Sequence, residues 1–211
     1  MRNIMHYYVR YTRQWVITAA LLILIRAPLN AEENTEEPKW VQTPDVVYVG
    51  TPYDVVSEML RMAQVDKDDL VVDLGCGDAR MLVLAAQKYG SRGIGYEIDP
   101  DMVRASRRNA EKNNVADLVR IIQADIFTVD ISKADVLPIY LLPEMNLKLV
   151  PQFETLKPGS RLVFHNYDLE GFIPDKKVEI ISNEDNSTHR LWLHTIPLKR
   201  AQERAPVEDE T

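Results

Sequence analysis

The sequence predicts an α/β fold: a doubly wound, mostly parallel sheet of seven strands that ends in an antiparallel hairpin. Three observations carry this. Short apolar runs alternate with stretches of helical spacing from residue 52 to residue 166, the pattern of a parallel sheet covered by helices. The first apolar run, LVVDLG at 70–75, meets a second glycine, Gly77, just before a helix. The last two runs are separated only by NEDNS at 183–187, a turn-rich segment that returns the chain antiparallel.

The elements follow in order. Val55, Val56, Met59, Leu60 and Ala63 recur at helical spacing over 52–64, with Pro52 in the first turn and Thr51 placed to cap. Residues 70–75 read as a buried parallel strand. A helix over 79–89 stops at Gly90, and 93–98 form the second strand. A helix over 100–113 starts on a proline, and 119–123 form the third strand. Residues 134–141 are the fourth strand despite Pro138, which is unusual inside a strand. A helix over 145–156 is expected to break at Pro151. Pro158-Gly159 turns the chain into a fifth strand over 160–166, and 177–181 and 190–196 make the hairpin.

Residues 1–31 stand apart. They hold Arg2, Arg10, Arg13 and Arg26, no acid, and an 11-residue apolar run from Trp15 to Ile25. That length suits a signal-peptide core better than a span. A signal peptide ending near Ala31, a membrane anchor that leaves the body outside the cytoplasm, and a mitochondrial presequence all fit. The segment is therefore expected to engage a membrane or export machinery. Polar residues 32–45 read as a linker, 46–197 as the folded domain, and 198–211 as a charged, frayed tail. Four of the 25 basic residues lie in 1–31, leaving 21 against 32 acids, a body charge of about −11. So acidic a surface opposes a nucleic-acid backbone and suits a cationic or neutral partner, although solubility alone explains it as well. One cysteine, Cys76, precludes an internal disulfide, and the four scattered histidines give no zinc spacing.

The chemistry points to the C-terminal strand ends, where open α/β sheets bind ligands. Gly75 and Gly77 let the backbone turn sharply beside a ligand. A dinucleotide fingerprint needs a third glycine where Arg80 stands. Asp73 and Asp78 would also oppose a pyrophosphate, which argues against the rival reading of an NAD-dependent oxidoreductase. Two carboxylates instead suit a ligand with an ammonium and a sulfonium and no phosphate, which describes S-adenosyl-L-methionine. Glu97 ends the second strand, where an acid can accept from both ribose hydroxyls. Asp125 follows the third strand and can accept from the adenine amino group, with Ile126 as an apolar wall and N–H donor. Asp125 serves equally well as a turn cap.

With these residues in place, the chain resembles class I S-adenosylmethionine-dependent methyltransferases, whose first motif DLGCGDAR resembles. There Ala79 takes a glycine position. YVGTPYDVVSEML, GYEIDP and IYLLPEMNLKL narrow the resemblance to small bacterial methyltransferases. These are related to the mitochondrial lysine methyltransferases of the adenine nucleotide translocase and of the ATP synthase c-subunit. The resemblance implies a Rossmann-like domain, a protein lysine as methyl acceptor, and Tyr48, Thr51 and Pro52 packed over the cofactor.

The chain departs from the family pattern at the fourth strand, which reads Tyr140-Leu141-Leu142-Pro143-Glu144. It lacks the [DNS]-P-P-[YF] motif of enzymes that methylate DNA adenine. For a lysine amine, Tyr140, Leu141, Leu142 and Pro143 would be apolar walls that hold it neutral, and Glu144 would orient it or take its proton. Tyr140 reads equally as a packed strand residue, and Glu144 as a solvated helix-start acid. His165, Asn166 and Tyr167 are placed to line the substrate side. A small-molecule O- or C-methyltransferase, or a non-catalytic S-adenosylmethionine-binding protein, would carry the same cofactor residues.

Overall fold

The computed structural model describes residues 48–201. The proposed leader, the linker and residues 202–211 lie outside these. Among the described residues no helix is long and apolar enough to cross a membrane.

The described residues form eleven elements: α1 (Tyr53–Met62), β1 (Leu70–Leu74), α2 (Arg80–Tyr89), β2 (Arg92–Glu97), α3 (Pro100–Lys112), β3 (Val119–Gln123), β4 (Val136–Ile139), α4 (Pro143–Phe153), β5 (Arg161–His165), β6 (Lys176–Ile181) and β7 (Thr188–Thr195). One seven-stranded sheet has the order β3-β2-β1-β4-β5-β7-β6. The order reverses between β1 and β4, the switch point where such sheets open a crevice. Strands β1 to β5 pair in parallel, while β7 runs antiparallel to both β5 and β6.

Strand periodicity divides the core into two layers. Val71 and Val163 face one layer with Val55, Val56, Met59 and Leu60 of α1 and Leu82 of α2. Val72, Leu162 and Phe164 face the other with Leu149 and Phe153 of α4. Both faces are covered, so the inner strands read as unbroken apolar runs.

Pro138 belongs to β4 and explains its own tolerance. The β1–β4 ladder registers only at Val71↔Val136, whereas β4 pairs with β5 from Val136 to Ile139. The ladder to β1 has already ended where the proline would have to donate.

Three local expectations are corrected. Thr51 does not cap α1: Pro52 is the N-cap residue, without a side-chain hydrogen bond, and the Thr51 hydroxyl lies 3.1 Å from His165 Nδ1. Helix α4 does not break at Pro151. It starts earlier, on Pro143, and runs through Pro151 to Phe153. The proline lies in the last turn, and the carbonyl it deprives, on Leu147, belongs to an exposed residue that water can reach. The tail is not frayed at its start, because Ile173 N donates to Lys199 O and Ala201 N to Gly171 O.

Candidate active site

The turn after β1 is built from left-handed residues. Gly75, Gly77 and Ala79 have φ of 75°, 54° and 60°. Glycine takes this region freely, whereas an alanine costs about 1–2 kcal/mol there. The Ala79 methyl is fully buried in the core, which offsets part of that cost. Gly75 N and Cys76 N both donate to Tyr96 O, at 2.9 and 3.0 Å, so the loop is moored to the end of β2.

Glu97 completes the mooring. Its Oε2 accepts from Gly77 N at 2.9 Å, and its Oε1 accepts from Ile98 N at 2.8 Å and Asp99 N at 3.0 Å. A carboxylate has about four acceptor positions, so about one is left without releasing a backbone partner. Asp73 is different. It is 4% exposed and receives no hydrogen bond from the described residues. Burial first, then the nearby charges of Glu97 and Asp78, push its pKa up to about 8. Asp125, half-buried, accepts from Phe127 N at 2.9 Å and so does cap a turn. Ile126 is buried in the layer that holds Leu74 and Tyr96.

The segment before α1 closes over this loop. A Cβ added to Gly77 would collide with Tyr48 Cε2, so the tyrosine ring lies directly on the glycine. Arg80 ties the segment down. Its Nη1 donates to Thr51 O at 2.9 Å and its Nη2 to Asp78 Oδ2 at 2.8 Å. Its guanidinium carbon lies 5.9 Å from the Tyr48 ring and 5.1 Å from the Tyr53 ring, within cation–π range. Burial alone would raise the Asp78 pKa, but hydrogen bonds from Arg80 and Tyr48 hold it below the usual carboxylate range. Asp78 is thus already compensated, and the uncompensated charge of the site falls on Asp73. Thr51 and Pro52 are buried beneath, whereas Tyr48 is 41% exposed.

Leu141, just past β4, borders the same loop: its Cδ2 lies 3.4 Å from a Cβ placed on Gly75. Tyr140 is half-buried, with its ring 4.1 Å from that of His165 and stacked 6.3 Å from that of Tyr167. Glu144 is exposed in the first turn of α4. His165, expected to line the substrate side, is instead 1% exposed and hydrogen-bonded inside the fold. Arg80 figures in the sequence only as a missing glycine. Its clamp spans 29 positions to Thr51, which no local pattern announces.

The comparisons agree with this geometry. A family model described as the ANTKMT methyltransferase domain matches residues 73–176. A protein-lysine N-methyltransferase of Saccharolobus islandicus (strain REY15A) is 41% identical over 156 residues, covering 72% of this chain and 95% of that protein. The ATP synthase C-subunit lysine N-methyltransferase of Xenopus laevis is 30% identical over 129 residues, covering 61% of this chain and 56% of that protein. The crystal structure of an RNA methyltransferase from Salinibacter ruber, in complex with S-adenosyl-L-homocysteine, has a TM-score of 0.67 and 44% identity. It covers 74% of this chain and 98% of that one. Fold, site and relatives together define an S-adenosyl-L-methionine-dependent methyltransferase. Within that class, the chain belongs to the same family as the Saccharolobus islandicus protein-lysine N-methyltransferase, and its residues 73–176 match the ANTKMT methyltransferase domain.

Gly77 gives a direct test of the loop. A methyl there must displace Tyr48 and sits at a φ of 54°. Gly77→Ala is expected to weaken S-adenosyl-L-methionine binding at least about tenfold in calorimetric titration while circular dichroism stays unchanged.

Proposed function

We propose that this enzyme N-methylates lysine side chains of a protein. The observation that carries this is the 41% identity to a protein-lysine N-methyltransferase across 95% of that protein's length. The acidic body agrees, since it favours a lysine-bearing partner. A second reading has its own support: the Salinibacter ruber relative, 44% identical, is an RNA methyltransferase. The charge balance opposes an RNA backbone, and we favour the protein acceptor.

In this reading Asp73, the uncompensated carboxyl, pairs with the cofactor's ammonium. Glu97 takes a ribose hydroxyl with its remaining acceptor position. Asp125 and Ile126 hold the adenine, and the Ile126 N–H has no acceptor among the described residues. Tyr48, Thr51 and Pro52 cover the site from the strap before α1. The cofactor supplies an electrophilic methyl group on a sulfonium. The protein's task is to align a neutral amine with it. Tyr140, Leu141, Leu142 and Pro143 strip water from the amine, which lowers its pKa. Glu144, at the exposed rim, takes the proton.

The full chain, tritiated S-adenosyl-L-methionine and cell lysate test the acceptor. Label is expected in protease-sensitive, ribonuclease-resistant material, as methyl-lysine by mass spectrometry, and absent with Asp73→Ala. Ribonuclease-sensitive label would favour RNA, and label in low-mass products a small-molecule acceptor; either would overturn the protein reading. Unchanged turnover in Glu144→Gln would remove its assigned role.

Asp73 predicts a pH dependence. Its carboxyl is protonated below about 8 in the free protein, and pairing with an ammonium requires the ionised form. Affinity for S-adenosyl-L-methionine should therefore fall as pH drops from 8 to 6, by about tenfold per unit, with a proton released on binding. Asp73→Asn should abolish the slope. For the free fold the sign is opposite. An unfolded aspartate titrates near 3.9, so this group lowers stability progressively as pH rises from about 4 to about 8.

We also propose that residues 1–31 deliver the domain to a membrane or export machinery, with mitochondrial import as the alternative. Fractionation of cells expressing the full chain, with N-terminal sequencing, should find the protein membrane-bound or cleaved near Ala31. An intact, freely soluble chain would overturn the proposal.

A further inference from the structure

A chain of polar side chains runs from the β6–β7 turn to the strap, and the reaction just described makes no use of it. Asp185 Oδ2 lies 3.2 Å from His189 Nε2. His189 Nδ1 lies 2.8 Å from His165 Nε2, and His165 Nδ1 lies 3.1 Å from Thr51 Oγ1. Both imidazoles and Thr51 are buried, whereas Asp185 sits on an exposed turn. The ring of Tyr140 packs on His165.

The direction of every bond in this chain follows from its outer end. A backbone bond from Ser187 is foremost among the causes that hold the Asp185 pKa below the usual range, so the group only accepts. His189 must then donate from Nε2; in the relay its Nδ1 is the acceptor. Burial first, then His189, lower the His165 pKa to about 3, so that ring is neutral. His165 donates from Nε2 to His189 and accepts at Nδ1. The Thr51 hydroxyl therefore donates inward. One residue on, the strap turns into α1; its Thr51 carbonyl is already taken by Arg80. The strap is pinned twice, once from the glycine loop and once from the hairpin.

We propose that Asp185, His189 and His165 form a positioning relay that locks the Tyr48–Pro52 strap and the Tyr140 ring in place, coupling the C-terminal hairpin to cofactor binding. This rests on the reading of the strap as the cover of the cofactor site. A pair of histidines that merely fill the core would leave cofactor affinity unaffected by an exposed turn residue. The relay makes affinity depend on it.

Two measurements on the full chain test this. In wild-type protein labelled with 15N-histidine, long-range proton–nitrogen correlation spectra at pH 7 should show His165 and His189 both as neutral Nε2–H tautomers. Either ring in the other tautomer would overturn the relay, whatever the variants do. In calorimetric titration with S-adenosyl-L-methionine, Asp185→Ala should raise Kd about five- to tenfold. Asp185→Asn, whose amide oxygen still accepts from His189, should restore it to within about twofold. Wild-type affinity in Asp185→Ala would overturn the proposal. An Asp73→Ala control separates the two readings. If it loses binding while Asp185→Ala keeps it, the relay alone falls; if it binds as the wild type does, the cofactor assignment falls.

Discussion

The guanidinium of Arg80 is the tie on which the site depends. It touches Asp78 in the glycine loop, the Thr51 carbonyl in the strap and two tyrosine rings at once. Without it, the segment before α1 would keep the Tyr48 contacts with Gly77 and Asp78 and the Thr51–His165 bond, but lose the tie to the Thr51 carbonyl. A lysine in its place would keep the charge but lose the planar fork that serves two partners in different directions. The loop conformation, the cover over it and the neutralisation of Asp78 are therefore one arrangement rather than three.

That arrangement sorts the acids at the strand ends by what they have left to give. Asp78 is answered by Arg80, and Glu97 is largely spent on backbone N–H groups. Asp125 is partly spent on a turn. Asp73 alone is buried with no donor among the described residues, in the field of its neighbours. An unmatched buried carboxyl costs stability, and the fold retains one at the end of β1, beside the glycine loop. Such a cost is common at functional sites.

Much of the fold was legible because the burial is two-sided and the strands short. The range of β3 over 119–123 was read without error, and the glycine loop and the acids Asp73, Glu97 and Asp125 were found from their places at strand ends. Proline was the main source of boundary error. Pro143 starts α4 two positions before the apolar pattern suggests, since it tolerates the first helical position, and Pro151 sits too late in that helix to break it. Thr51 was misassigned because a hydroxyl before a helix reads as a cap, while its actual partner, His165, is 114 positions away. Arg80 and His189 stayed hidden, and His165 was assigned to the substrate side, for the same reason: their roles are long-range contacts, and the sequence periodicities report only local structure.

Pro138 has a consequence for the shape of the crevice. The hydrogen bonds that join β1 to the β4 side lie together at the rear of the sheet: the bridge at Val71↔Val136, and the Leu70–Asp135 contacts, where Asp135 N donates to Leu70 O and Leu70 N to Asp135 Oδ2. Ahead of them Pro138 has no N–H to offer β1, and the rungs cease before Asp73 on one strand and Tyr140 beyond the other. The sheet is thus laced at its back and unlaced at its front. The missing rungs were fixed by the proline when the chain folded, and a ligand at this edge breaks no strand pairing.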